Sequence, residues 1–276
     1  MQRIVILLVM LFVSACAPTA TNHNISSINP LVDRDNMGAA SLLNIADDLY
    51  SNKNYTSAYA IYAKAEVEAE TTSFKTQALQ GQAFSLLRMG MHEQALDGLL
   101  KLKNLGTYNA KLEEALAEAN FFLANFSEAQ KIIVGLENNN DSSDRFYTIR
   151  GLLHEINLEH ELARQDYESV LSLEGINSAI FTNLALSYAL TSDFDLAETL
   201  LLGMDYRAED LGLVYALKGE MLKAEEVITE DFHRRGLDAS HIAQNMAFYE
   251  KLKDLSQKAR VRAVVLGKIT EPSVGD

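Results

Sequence analysis

The chain has 276 residues, of which 48% are hydrophobic, with a formal net charge of −14 and a single cysteine. The acidic balance argues against nucleic acid and against an anionic membrane surface as the main partner. One cysteine rules out a disulfide within the chain. The first element in chain order is a signal. Arg3 supplies a short positive region, and Ile4 to Val13 is an unbroken apolar run of ten residues. That run is too short to span a bilayer, which takes about 20 residues, and it suits the apolar core of a secretory signal. No later segment reads as transmembrane.

Directly after the run stands Val13-Ser14-Ala15-Cys16. This resembles the cleavage site of bacterial lipoproteins: small residues precede the scissile bond, and a thiolate forms the thioether to diacylglycerol. The resemblance implies a signal peptide over residues 1–15 and lipidation at Cys16. Each buried CH₂ adds roughly 0.8 kcal/mol, so two or more acyl chains make a lasting anchor. Among lipoproteins of Gram-negative bacteria, an Asp after the cysteine tends to retain the protein at the inner membrane. Ala17 therefore implies the periplasmic face of the outer membrane. Removal of the signal takes Arg3 with it and leaves a formal charge of −15.

Residues 16–37 read as the lipidated N-terminus and a flexible tether. The stretch is polar, rich in Thr, Asn and Ser, and holds Pro18 and Pro30. From Ser41 onward, alanines and large apolar residues recur at helical spacing, and polar or glycine-containing clusters punctuate the pattern. The expectation is an all-α chain of short antiparallel helix pairs over residues 38–255.

A repeat fixes the register. Ala58, Ala95, Ala129, Ala163, Ala197 and Ala224 stand 37, 34, 34, 34 and 27 residues apart. Twelve residues before each is a small residue: Ala46, Ala83, Ala117, Gly151, Ala185 and Gly212. Four residues after each is a large one: Tyr62, Leu99, Ile133, Tyr167, Leu201 and Ile228. Small side chains let two helices approach to about 8 Å, and the large residue fills the space beside the contact. One such unit cannot bury both faces, so neighbours must stack. The pattern resembles the tetratricopeptide repeat (TPR), whose period is 34 residues. It implies a TPR-type α-solenoid of antiparallel helix pairs.

The last spacing of 27 predicts a clipped second helix near Leu196 to Met204. A shorter internal echo follows: Asn183 to Leu190, Asp210 to Leu217, and Asn245 to Tyr249, the last expected to cap the stack. Residues 256–276 carry Lys258, Arg260, Arg262 and Lys268 and read as a basic C-terminal tail, with a partner-binding segment as the alternative.

No catalytic or metal-binding set is expected, and no cofactor. His154 and His160 are six apart, whereas a helical zinc pair needs a spacing of four. There is no glycine-rich nucleotide loop. In TPR repeats certain inner-helix positions face a concave groove. The resemblance carries these onto Phe84, Leu87, Phe121, Phe122, Leu152, Ile156, Leu186 and Leu190, bordered by Glu114, Glu118 and Glu155. Such an apolar strip is expected to bind protein, as an amphipathic helix or extended peptide.

The C-terminal half is similar to the TadD family of tight-adherence (Flp) pilus assembly. The residues that carry this are NLALSYALTSDFDLAE at 183–198, LGLVYALKGEMLKAE at 211–225 and HIAQNMAFYEKL at 241–252. Asp210 stands where Asn is usual, and Ser192 where Gly is usual. The resemblance implies an assembly factor or pilotin for the pilus secretin. Its partner would be a secretin segment or another pilus-assembly component, held at the membrane by the N-terminal lipid. Another periplasmic TPR scaffold lipoprotein is the alternative, serving barrel assembly, another pilus system or cell-wall synthesis. A peptidoglycan-active enzyme is a third reading.

Overall fold

The computed structural model describes residues 38–138, 143–175, 177–203, 207–236 and 239–267. The signal, Cys16 and the tether lie outside the described residues. All regular structure among the described residues is helical, in fourteen helices. None of them is long and apolar enough to cross a membrane.

The chain divides at Ser142 into two compact units. The N-terminal unit holds α1 (Ala39–Ser51), α2 (Tyr55–Val67), α3 (Thr72–Arg88), α4 (His92–Asn104), α5 (Ala110–Phe122) and α6 (Phe126–Glu137). The C-terminal unit holds α7 (Asp144–Ile156), α8 (His160–Glu174), α9 (Ser178–Leu190), α10 (Phe194–Leu202), α11 (Ala208–Lys218), α12 (Met221–Arg235), α13 (Ala239–Leu252) and α14 (Gln257–Leu266). The sequence implied one repeat domain over 38–255, and the division falls beside its most polar interruption, Glu137 to Asp141.

Each of the six repeats is a helix pair in the expected register. Every small residue, every alanine and every large residue of the pattern is buried. The small position meets the large one directly. A Cβ added at Gly151 would lie 2.7 Å from the Tyr167 ring, and one added at Gly212 would lie 2.8 Å from Ile228. The backbone of the first helix therefore rests on the large side chain of the second, and no larger residue fits there. The clipped second helix is present as α10, nine residues long.

Local chemistry sets the helix ends. Thr71, Asn109, Ser143 and Asn177 each accept a backbone N–H at the start of α3, α5, α7 and α9. The turn inside each pair is built the same way six times. A residue five positions before the repeat alanine takes positive φ: Lys53, Gly90, Ala124, Leu158, Ser192 and Gly219. The next residue's N–H bonds back five positions, as from Asn54 to Leu49 O and from Glu159 to His154 O, both within 2.9 Å. This is the Schellman closure of a helix C-terminus. Four of the six positions carry a side chain, each strained by roughly 1 kcal/mol relative to glycine.

First helices of successive pairs touch at α1 with α3, α3 with α5, α9 with α11 and α11 with α13. The second helices pack on first helices. The first helices thus form one layer of each unit, the inner layer.

Residues 257–266 are not part of a basic tail. They form α14, which packs against α7 and α9. Between its basic residues lie Val261, Ala263, Val264 and Leu266, all buried. The apolar set outweighs the charges that suggested a tail.

Candidate partner-binding surface

The inner layer of the N-terminal unit carries Phe84 and Leu87 on α3, and Phe121 and Phe122 on α5. Leu87 is buried and Phe121 is 0% exposed, so neither offers surface to a partner. Phe121 meets the rings of Phe122 and Phe126 edge-on, both at 5.4 Å. Phe84 and Phe122 are half-buried and do reach the surface. Phe122 stacks flat on His92, with ring centroids 4.6 Å apart.

The charged rim differs from expectation. Glu114 and Glu118 are buried. Glu118 pairs with Arg88, which crosses from α3 to α5. Glu113 pairs with Lys103 at 3.0 Å. Arg88 is part of this surface, and the sequence reading missed it. Its place four residues after Phe84, on the same helix face, was the available signal.

In the C-terminal unit Leu152 and Ile156 of α7 are buried, and Leu186 and Leu190 of α9 are half-buried. These four do not line an open groove. α14 packs on the two helices that carry them. Its Ala263 and Val264 belong to one apolar cluster with Ala185, Ala189 and Leu213, against which Leu186 and Leu190 pack.

Polar groups tie the α7–α8 pair together. Arg150 holds Asp166 with two short hydrogen bonds, from Nε at 3.0 Å and Nη2 at 2.6 Å. Glu155, only 2% exposed, pairs with His160 Nδ1 at 2.6 Å. His154 Nδ1 lies 2.6 Å from Glu159. The two histidines therefore sit on separate carboxylates at the turn, on different sides of it. Arg164 of α8 lies over the Tyr188 ring of α9, 4.6 Å from its centroid, and donates to Thr191 at 3.2 Å.

The buried tyrosines are locked as neutral groups. Burial, then the nearby Glu155 and Asp166 carboxylates, pushes the Tyr167 hydroxyl well above its ordinary range. Burial, reinforced by a 2.5 Å hydrogen bond to Asp47, does the same for Tyr62.

No family profile matches the chain, and no curated relative does. Solved structures do. A tetratricopeptide repeat protein from Parabacteroides merdae is 17% identical over 83% of this chain and 97% of its own, with a TM-score of 0.51. A chain of the APC/C hetero-tetramer Cut9–Hcn1 matches with a TM-score of 0.62, at 17% identity over 80% of this chain and 44% of its own. A thermophilic TPR protein of Thermus thermophilus gives 0.51 at 20% identity, over 68% of this chain and 98% of its own. At these identities the likeness concerns the fold. The chain has the TPR-type α-solenoid fold.

Proposed function

We propose that the protein is an outer-membrane lipoprotein, anchored through Cys16 on the periplasmic face, that acts as an assembly factor or pilotin for the secretin of a tight-adherence pilus. The observation that carries this reading is the order of elements in the C-terminal unit. An NLA-type helix, a shortened partner, an L-x-L-V-x-A-L-x-G helix and a final N-x-A-F helix follow one another as α9, α10, α11 and α13. That is the order of the TadD-like stretches. The lipoprotein-type cleavage site and the acidic mature chain agree with it.

The mechanism requires no chemistry. The lipid keeps the repeats at the membrane and raises their effective concentration near the pore. The inner layer holds a secretin segment as a short helix. A chain similar in fold belongs to the APC/C hetero-tetramer Cut9–Hcn1, which is consistent with a scaffold role.

Two variants test the reading. Cys16→Ser abolishes metabolic palmitate labelling and leaves a precursor at the inner membrane. Persistent labelling of that variant overturns the lipoprotein assignment. Truncation of the half-buried pair Phe84 and Phe122 to Ala lowers partner affinity by about 2 kcal/mol, roughly thirtyfold. Secretin multimers in the outer membrane fall accordingly, while the melting curve shifts little. Wild-type multimers in a normally folded variant would remove the N-terminal inner layer from the mechanism.

A further inference from the structure

α14 is enclosed in a way that a closing helix is not. A helix that ends a solenoid buries one side against the last pair. In α14 the buried residues Val261, Ala263, Val264 and Leu266 spread, at about 100° per residue, over more than half of the helix circumference. Arg262 and Val265 between them are half-buried. The chain leaves α13, reverses, and places α14 against α7 and α9, inner helices of the first two pairs of this unit. The reversal is clamped by Arg260, whose guanidinium donates to the carbonyls of Leu252 at 3.0 Å and of Lys253 and Leu255 at 3.3 Å.

α14 is also a poor helix by itself. It has ten residues, three of them Val, and isolated helices below about 12 residues are marginal in water. Its one side-chain cap is Ser256, accepting from Ala259 N at 3.4 Å. The inner layer therefore supplies most of what keeps it helical. α14 rests on α7 and α9, the helices that carry Leu152 and Ile156, and Leu186 and Leu190; its Ala263 and Val264 share an apolar cluster with Ala185 and Ala189 of α9.

We infer that the inner layer of the C-terminal unit is a helix-binding site and that α14 is its resident ligand, displaced when a partner offers a helix of the same chemistry. That chemistry is specific: a single short helix with small or branched aliphatic side chains over more than half of its circumference. The inference rests on the reading above, that the inner layer captures a helical protein segment, and it adds which surface is guarded and by what.

The test uses the full mature chain and a fluorescent peptide of its own residues 256–267. Val264→Asp loosens α14 without touching the layer beneath it. The peptide binds this variant at least tenfold more tightly than it binds the wild type, by fluorescence anisotropy. Equal binding to both, or none to a variant with wild-type helicity, overturns the inference. Hydrogen exchange on the wild-type chain gives a second reading that does not depend on the variant's folding. Amides of α14 exchange at least tenfold faster than those of α9 and α11, through local opening. Exchange at the same rate as α9 and α11 would make α14 permanent core. Neither readout involves a secretin, so loss of the pilus assignment leaves this result standing, and the reverse also holds.

Discussion

Ala197→Glu destabilises the protein by at least about 3 kcal/mol. Ala197 is 0% exposed and belongs to the same apolar cluster as Ala185, Leu201, Val214 and Ile228. It sits on α10, which has only nine residues and little capacity to shift along its axis. A glutamate there forces in four more heavy atoms beyond Cβ, three of them a carboxylate, among aliphatic side chains such as Leu201, Val214 and Ile228. Two costs add: overpacking, typically 1–3 kcal/mol, and the burial of a charge, which the side chain escapes only by protonating or by pulling the helices apart. Urea unfolding followed by circular dichroism measures the effect. Ala197→Ser is the matched control, since a small side chain that can bond back to its own helix should cost far less. An unchanged midpoint for the glutamate variant would mean that the crossing is not as tight as the register requires.

The register itself was legible because close approach of two backbones permits few residue types. Gly151 against Tyr167 and Gly212 against Ile228 show why small and large alternate at fixed spacing. The shortened α10 could be read from the 27-residue step for the same reason. The turns were less legible. Four of the six positive-φ positions hold Lys53, Ala124, Leu158 and Ser192 instead of glycine, so the backbone conformation follows from the Schellman bonds and not from the residue type.

The surface residues were least legible. Helical periodicity says which positions share a face, but an inner helix is flanked by its own partner, by the preceding pair and by the next inner helix. In α5 every residue from Leu112 to Phe121 is buried, including Glu113, Glu114 and Glu118. Exposure at Leu87 or Phe121 is decided by helices many residues away, which a local pattern does not contain. α14 was hidden for a related reason. Its apolar residues spread over more than half of the helix circumference instead of forming a stripe, so no amphipathic period marked it, and its basic residues suggested solvent.

Arg207→Met costs about 3 kcal/mol at neutral pH, and adding Asp210→Asn restores most of it. Asp210 opens the first turn of α11 with its side chain 5% exposed. Arg207 grips it through Nε at 2.9 Å and Nη2 at 2.6 Å, and Thr182 of α9 donates at 3.4 Å. Removing one partner of a buried ion pair leaves the other charge uncompensated, typically at 3–5 kcal/mol, whereas replacing both is far milder. The aspartate and its arginine therefore act as a unit. Titration separates this account from simple loss of packing. Burial raises the Asp210 carboxyl above its ordinary 3.8, and Arg207 and Thr182 partly oppose that. A carboxyl whose folded pKa is raised contributes stability that is fully present below its unfolded value. That stability is lost as pH rises through the folded value. Without Arg207 the folded value climbs further, so the variant loses more at neutral pH and regains more on acidification. Urea unfolding from about pH 8 down to about pH 5.5 should show the gap between Arg207→Met and the double variant narrowing as pH falls. A gap that stays constant would mean that Arg207 contributes through the packing of its stem, and that the charge on Asp210 is not what it balances.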